Sequence, residues 1–341
     1  MRVDADPAWF HGQVSLQQDA DGIRPWRLPY AEVELSTQAW WIGWHLIQQA
    51  GESTGVRLRL RSDAPRLVLD CLPLPDRARS FDLVVGAQEP VTFTLEAGAG
   101  ELVIDGLLGA GTPFEIWLPH NAACTVRGIV LPDGCRLEPV ADARRRLVVY
   151  GSSITHCQGA PSPARTWPAQ VALAHDLDVI SLGFSGQCHL HLPVARLLRD
   201  LDADLFILKI GINIFGSSSL NGVTFMPNLA GTVQLIRERH PQTPIALVSP
   251  IIHAKDETGE NVVGMSVPKF RLQVAETVER LRRVTGDRNV LYVDGRDIFG
   301  EADAVRHQPD GCHPSAEGMG IMASRINTLV IPQLLALGVV S

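Results

Sequence analysis

Two short stretches of the sequence could work on one another as nucleophile and base. The first is Val149-Tyr150-Gly151-Ser152-Ser153-Ile154-Thr155, a small-residue turn at the end of an apolar run. A serine just past a strand end sits at the open mouth of a sheet, and a glycine there lets the backbone turn sharply. The second is Asp310-Gly311-Cys312-His313-Pro314. An acid three residues before a histidine folds back within one turn. It accepts the Nδ1 proton and leaves Nε2 free as a base. Pro314 and Ser315 suit a helix start, which leaves His313 on the loop before it. Singly, each stretch also reads as something ordinary: a Gly-Ser-Ser loop, and a capping Asp beside a surface His.

Two further stretches would supply the electrophilic side. They are Ser181-Leu182-Gly183-Phe184-Ser185-Gly186 and Ile210-Gly211-Ile212-Asn213, each directly after an apolar run. The amide of Gly186, the side-chain amide of Asn213 and the amide of Ser153, aimed at one point, would form an oxyanion hole. Gly and Asn are favoured in strand-ending turns in any case. The strength of the signal is that all four stretches fall on one rim of one sheet.

That rim requires a doubly wound α/β domain. Runs at 147–150, 179–182, 205–210, 245–249 and 290–293 are almost continuously apolar, as in parallel strands covered on both faces. Helix-length segments at 167–175, 194–201, 228–239, 270–284 and 316–337 alternate with them. In such sheets the site lies at the C-terminal strand ends. The first part reads differently. Residues 56–61 alternate apolar and charged side chains, the pattern of a strand with one dry and one wet face, and 91–96 repeats it. Further short runs at 66–72, 81–85, 101–104, 114–118 and 125–131 are punctuated by Gly and Pro. This predicts an antiparallel β-sandwich without a long helix; 40–49 fits a short helix or another strand. The expected domains are 1–140, a β-sandwich, and 146–341, an α/β domain with a doubly wound parallel sheet.

Composition narrows the class. The 341 residues carry a net charge of -7, which argues against a nucleic-acid binder held by phosphate contacts. Of 30 basic residues, three are lysine: Lys209, Lys255 and Lys269. No stretch reads as a membrane span of about 18 apolar residues, and the first ten residues lack a signal pattern. A cytoplasmic protein is expected. The six cysteines lack a CxxC pair and read as small buried thiols. His189-x-His191 could put two imidazoles on one strand face, but no third ligand follows at metal spacing, so no metal is expected. His156 and Cys157 flank the nucleophile turn and could form a Cys–His pair. Arg144, Arg145 and Arg146 read as a solvated linker, or as an attractor for an anionic acyl-CoA.

In the order serine, glycine, asparagine, Asp-x-x-His, residues 146–338 resemble the SGNH hydrolases, also called the GDSL family. The resemblance implies Ser153 as nucleophile, Gly186 and Asn213 in the oxyanion hole, and His313 with Asp310 as base and orienting acid. The sequence departs from the family in having Ser152 where Asp usually precedes the nucleophile. Two adjacent serines are therefore candidates, and the family register points to Ser153. Gly22-Ile23-Arg24-Pro25-Trp26-Arg27-Leu28-Pro29 and the β-rich first part look like a bacterial GDSL subgroup with a sandwich similar to a carbohydrate-binding module. A polyketide-tailoring acyltransferase that places salicylate on a tetracycline hydroxyl belongs to that subgroup. The implied activity is serine acyl transfer through an acyl-enzyme, from a small-molecule donor such as an acyl-CoA to a hydroxyl acceptor, without a cofactor. An esterase acting on acylated sugars or small esters is the alternative. A binding protein on the same fold is a second. Six of seven tryptophans lie in the first part, which suggests that the sandwich walls an acceptor site.

Overall fold

The computed structural model describes residues 1–39, 43–106 and 111–339. The chain divides into two compact units. The first comprises Met1–Arg144 with Pro161–Ala169, and the second Arg145–Ala160 with Gln170–Ser341. The division is not a single cut, because Pro161–Ala169 returns to the first unit. There, Asp82 Oδ2 accepts the Ala164 N–H at 2.6 Å.

The first unit is an antiparallel sandwich. One sheet runs Ser15–Asp19, Gly22–Trp26, Val126–Val130, Arg66–Cys71, Glu101–Asp105, with Arg2–Asp4 also paired to Val126–Val130. The other runs Leu137–Pro139, Arg57–Ser62, Pro113–Trp117, Arg79–Val85, Val91–Leu95, with Phe10–His11 added to Arg57–Ser62. Alternation sends Leu58, Leu60, Phe81 and Ile116 of one sheet and Leu67, Leu69, Ile104 and Ile129 of the other into one core. Trp9, Trp26 and Trp117 are buried, whereas Trp44 is 52% exposed. Trp40 and Trp41 lie outside the described residues.

Two expectations for this unit fail. The sequence predicts no long helix, yet Tyr30–Ala39 is one, followed by Trp44–Ala50. Ala31 to Leu35 alternates apolar and polar residues, so it lacks a helical stripe; Val33 is buried and Leu35 exposed. Arg57, expected on a wet face, is fully buried. It reaches Asp142 at 3.2 Å and Glu115 at 3.5 Å, and its guanidinium lies over Trp117 at 5.2 Å. Arg59 pairs with Asp142 at 2.9 Å, and Arg144 with Glu115 at 2.5 Å and Asp142 at 2.6 Å. The arginine run is therefore a solvated linker only at Arg145, which is exposed: Arg144 is committed to this cluster, and Arg146 to Asp178 at 2.7 Å. Neither is a free anchor for an acyl-CoA.

The second unit holds five parallel strands: Arg146–Gly151, Asp178–Gly183, Leu205–Lys209, Ile245–Val248 and Val290–Val293. Numbered along the chain, their order is 2-1-3-4-5. In this doubly wound order the strand sequence reverses between the first and third strands, and ligands bind outside the carboxyl ends there. The expected helices appear at Leu192–Asp200, Phe225–Arg237, Val267–Arg280 and Ala316–Arg325, and a further one at Trp167–Ala174. The last helical run, Ala316–Gly338, is by length and composition apolar enough to cross a membrane, contrary to the sequence expectation. It carries Glu317 and Arg325 and buries Met319, Met322, Ile326, Val330, Ile331 and Leu334, the single buried face of a core helix.

Candidate active site

The first strand ends at Gly151 and turns at once into the short helix Ser153–His156. Ser152 caps it: its Oγ accepts the Ile154 N–H at 3.3 Å, and the residue is 1% exposed. Ser153, at the first helical position, lines a cleft of about 690 Å³. The helix sits close against the sheet because of Gly183, where a Cβ would lie 2.3 Å from the His156 N.

His313 arrives from the loop before the last helix. Its Nε2 lies 2.8 Å from Ser153 Oγ, and its Nδ1 lies 2.6 Å from Asp310 Oδ2. Asp310 Oδ1 accepts the backbone N–H groups of Cys312 (2.9 Å) and His313 (2.7 Å). Burial pushes the Asp310 carboxyl up, but these bonds and the His313 ring outweigh it and hold it at about 2. A carboxylate that can only accept requires the N–H on Nδ1, so Nε2 accepts the Ser153 hydroxyl proton.

Gly186 and Asn213 line the same cleft. Gly186 has φ +70, a conformation suited to glycine. Asn213 lies at the start of the short helix Ile212–Ser217, and its Oδ1 accepts the Cys188 N–H at 3.0 Å. With the oxygen so held, the NH₂ is left for the cleft. All five residues singled out from the sequence, Ser153, Gly186, Asn213, Asp310 and His313, thus lie around one cleft.

The competing arrangements do not assemble. Cys157 is buried and donates its thiol to the Ile154 carbonyl at 3.2 Å, while His156 Nδ1 meets Ser185 Oγ at 3.1 Å. His189 and His191 lie on a loop, not on a strand face, with their rings edge to face at 5.5 Å. Burial holds both imidazoles below the ordinary histidine range. His189 Nε2–H donates to the Gly186 carbonyl at 2.9 Å, and Nδ1 accepts from Ser219 Oγ at 2.8 Å. It braces the glycine instead of facing a metal. Among the described residues no group of three or more His, Cys, Asp or Glu could hold a metal ion. The sequence reading missed this brace and the Cys188 N–H that orients Asn213, because both depend on loop geometry that no local pattern announces.

The fold and cleft define an α/β acyl-transfer enzyme carrying an accessory sandwich, and comparison with known proteins agrees. Residues 144–330 match the GDSL-like lipase/acylhydrolase family, and residues 8–131 match the SsfX3 N-terminal domain. The chain belongs to the GDSL-like lipase/acylhydrolase family and is an enzyme of its acyltransferase or esterase kind. It is similar to the salicylyl-acyltransferase SsfX3 from a tetracycline biosynthetic pathway. The TM-score is 0.86 and the identity 34%, over 99% of this chain and 98% of that one. It shares its fold with a putative GDSL-like lipase from Bacteroides ovatus (TM-score 0.79, 19% identity, 98% of each chain). It also shares it with a family two carbohydrate esterase from Cellvibrio japonicus (TM-score 0.65, 14% identity, 99% and 98%). No curated protein matches the sequence.

Proposed function

We propose that the protein is a serine O-acyltransferase that works through an acyl-enzyme. The observation that carries this reading is the Ser153 Oγ to His313 Nε2 contact of 2.8 Å, backed by Asp310 at 2.6 Å. His313 takes the serine proton as Oγ attacks an ester or thioester carbonyl. The amides of Ser153 and Gly186 and the Asn213 side chain hold the oxyanion. Asp310 fixes the tautomer and stabilises the imidazolium. The leaving group departs with the proton from His313. The acceptor hydroxyl then gives its proton to His313 and attacks the acyl carbonyl; the bond to Ser153 Oγ breaks, and Ser153 recovers its proton from His313.

The donor in this reading is an acyl-CoA, and the acceptor is a hydroxyl on a bulky natural product such as a tetracycline-type polyketide. The end-to-end likeness to an acyltransferase supports transfer. A cytoplasmic setting follows from that donor. The esterase reading draws on the exposure of the acid–base pair: the His313 and Asp310 side chains are 48% and 53% exposed, so water reaches the acyl-enzyme. The test is to incubate the enzyme with acyl-CoAs and p-nitrophenyl esters, with and without polyketide or sugar acceptors. Mass spectrometry then follows the acyl group. An acylated polyketide is the expected product. Free acid at an unchanged rate with every acceptor would favour the esterase.

A further inference from the structure

Lys209 ends the third strand and is 3% exposed. In the sheet register Gly183, Gly151, Lys209 and Val248 stand side by side on the second, first, third and fourth strands. Register partners in a parallel sheet carry their side chains on one face. On that face a Cβ at Gly151 would lie 2.2 Å from Thr155 Oγ1, and one at Gly183 would lie 2.3 Å from His156 N. The Ser153–His156 helix therefore rests directly on the two glycines. The Lys209 side chain leaves the sheet on the same face, in the next column.

Its electrostatic neighbours are Cys312, Cys188, Arg271 and Cys157. Cys157 ends the Ser153 helix, Cys188 holds Asn213, and Cys312 precedes His313. One thiol thus comes from each of the three segments that carry the reactive groups. Burial pushes the Cys188 thiol up to about 12 and raises that of Cys312, so both are neutral near pH 7. Arg271 is itself a cation, bonded to Glu257 and to the Pro250 and Ile251 carbonyls. Of the other groups on these segments, His156 meets Ser185 and Asp310 is bound to His313. Lys255, a second cation, lines the cleft above. No carboxylate is among these electrostatic neighbours of the Lys209 ammonium. A buried ammonium without one destabilises the fold, and burial lowers its pKa to about 8. Arginine is the cation at 27 of the 30 basic positions, yet lysine stands here. A lysine presents a compact charge that burial can tune, which a guanidinium does not.

We propose that Lys209 is an electrostatic positioning residue, a buried cation that favours the negative charge building on the carbonyl oxygen as Ser153 attacks. The proposal rests on the acyl-enzyme reading above. It needs no contact with substrate, because a fixed charge in a water-poor interior acts over several ångströms.

The test compares full-length wild type, Lys209→Met and Ser153→Ala on p-nitrophenyl acetate, with thermal melts and a pH profile. Lys209→Met is expected to lose about tenfold or more in kcat with KM unchanged. Its melting temperature is expected to rise by about 2–4 °C, since an unpaired buried charge has gone. Wild-type kcat should fall as pH rises through about 8, and the variant's should not. An unchanged kcat, or a lower kcat with a lower melting temperature, overturns the proposal. If the variant does not fold, a wild-type kcat that stays level from pH 8 to pH 10 overturns it. Activity that survives in Ser153→Ala removes the acyl-enzyme reading itself. An inactive Ser153→Ala beside an unimpaired Lys209→Met removes only the role of Lys209.

Discussion

Arg57 in the first unit and Lys209 in the second are both cations shut away from water, and the protein accommodates them in opposite ways. Arg57 faces Asp142 and Glu115, and Arg59 and Arg144 complete the cluster around the same two carboxylates. Arg57 is thus paired at close range, with three guanidiniums sharing two carboxylates. Lys209 faces three thiols and another cation, and its field is not cancelled locally. The contrast separates two uses of a buried charge. A paired one fixes shape. An uncompensated one weakens the fold and projects a potential, and here it stands beneath the loops that carry Ser153, Asn213 and His313. Substitutions in the first cluster should therefore lower stability and leave rates alone, while those around the cleft should lower rates without lowering stability.

The largest expected effect lies at the cleft. Ser153→Ala should lower kcat by about 10³-fold or more, since removing a nucleophile leaves only binding and the oxyanion donors. Its melting temperature should stay close to wild type, and a fluorophosphonate should no longer label it. Asn213→Ala comes next, with a loss of about 10²–10³ in kcat from one oxyanion donor. A large drop in the melting temperature of either variant would blur the division between the two regions. Asp310 gives a further check at the cleft. Its carboxyl is held at about 2, so it stays charged above that pH. Any acid limb of Ser153 labelling above pH 3 should therefore survive in full when Asp310 alone is considered, and must be set by another group.

The opposite case is Asp142→Asn, which leaves Arg57 and Arg144 short of a partner. Breaking a buried pair from one side typically costs about 3–5 kcal/mol, readable as a lower urea midpoint, with kcat per folded molecule unchanged. The wild-type pH dependence carries the same information. Burial pushes the Asp142 carboxyl up, but the Arg144 hydrogen bonds and the Arg57 charge outweigh it and hold it well below the usual carboxylate range. A carboxylate depressed on folding contributes stability above its unfolded pKa, about 3.9. That contribution fades as pH falls below it. The urea midpoint should drop in that window for wild type and less for Asp142→Asn. Equal slopes would mean that Asp142 is not the carboxylate that holds the cluster together.

The sequence carried some of this plainly. Long apolar runs between helical segments marked all five parallel strands, because burial on both faces leaves no polar positions to confuse the pattern. The reactive residues were legible because strand ends must turn, and the turn residues there also carry the chemistry. What escaped depended on partners distant in sequence. Alternation placed Arg57 toward water, and nothing local announced that Glu115 and Asp142 would cover it. Lys209 sat within an apolar run, where only its register beside Gly151 reveals what it lies under. The helices Ser153–His156 and Ile212–Ser217 are too short to show a period. Within Tyr30–Ala39, residues 31–35 alternate as a strand would, so no helical period was there to be read.

The smallest expected effect tests the same contrast between neighbouring residues. Ser152 is buried and spends its hydroxyl on the Ile154 N–H, whereas Ser153 offers its hydroxyl to His313. Ser152→Ala should cost about 1 kcal/mol, the usual loss of an N-cap, seen as a slightly lower melting temperature. The helix is also held by the Ser152 carbonyl, which accepts from Thr155 and His156 at 2.9 Å and survives the substitution. Ser153 should therefore keep its position, and kcat should stay within a few-fold of wild type. If Ser152→Ala abolishes fluorophosphonate labelling while Ser153→Ala retains it, the reactive serine is the other one. The 2.8 Å contact to His313 would then belong to structure, and the line drawn between shape-fixing and rate-setting groups would have to be moved by one residue.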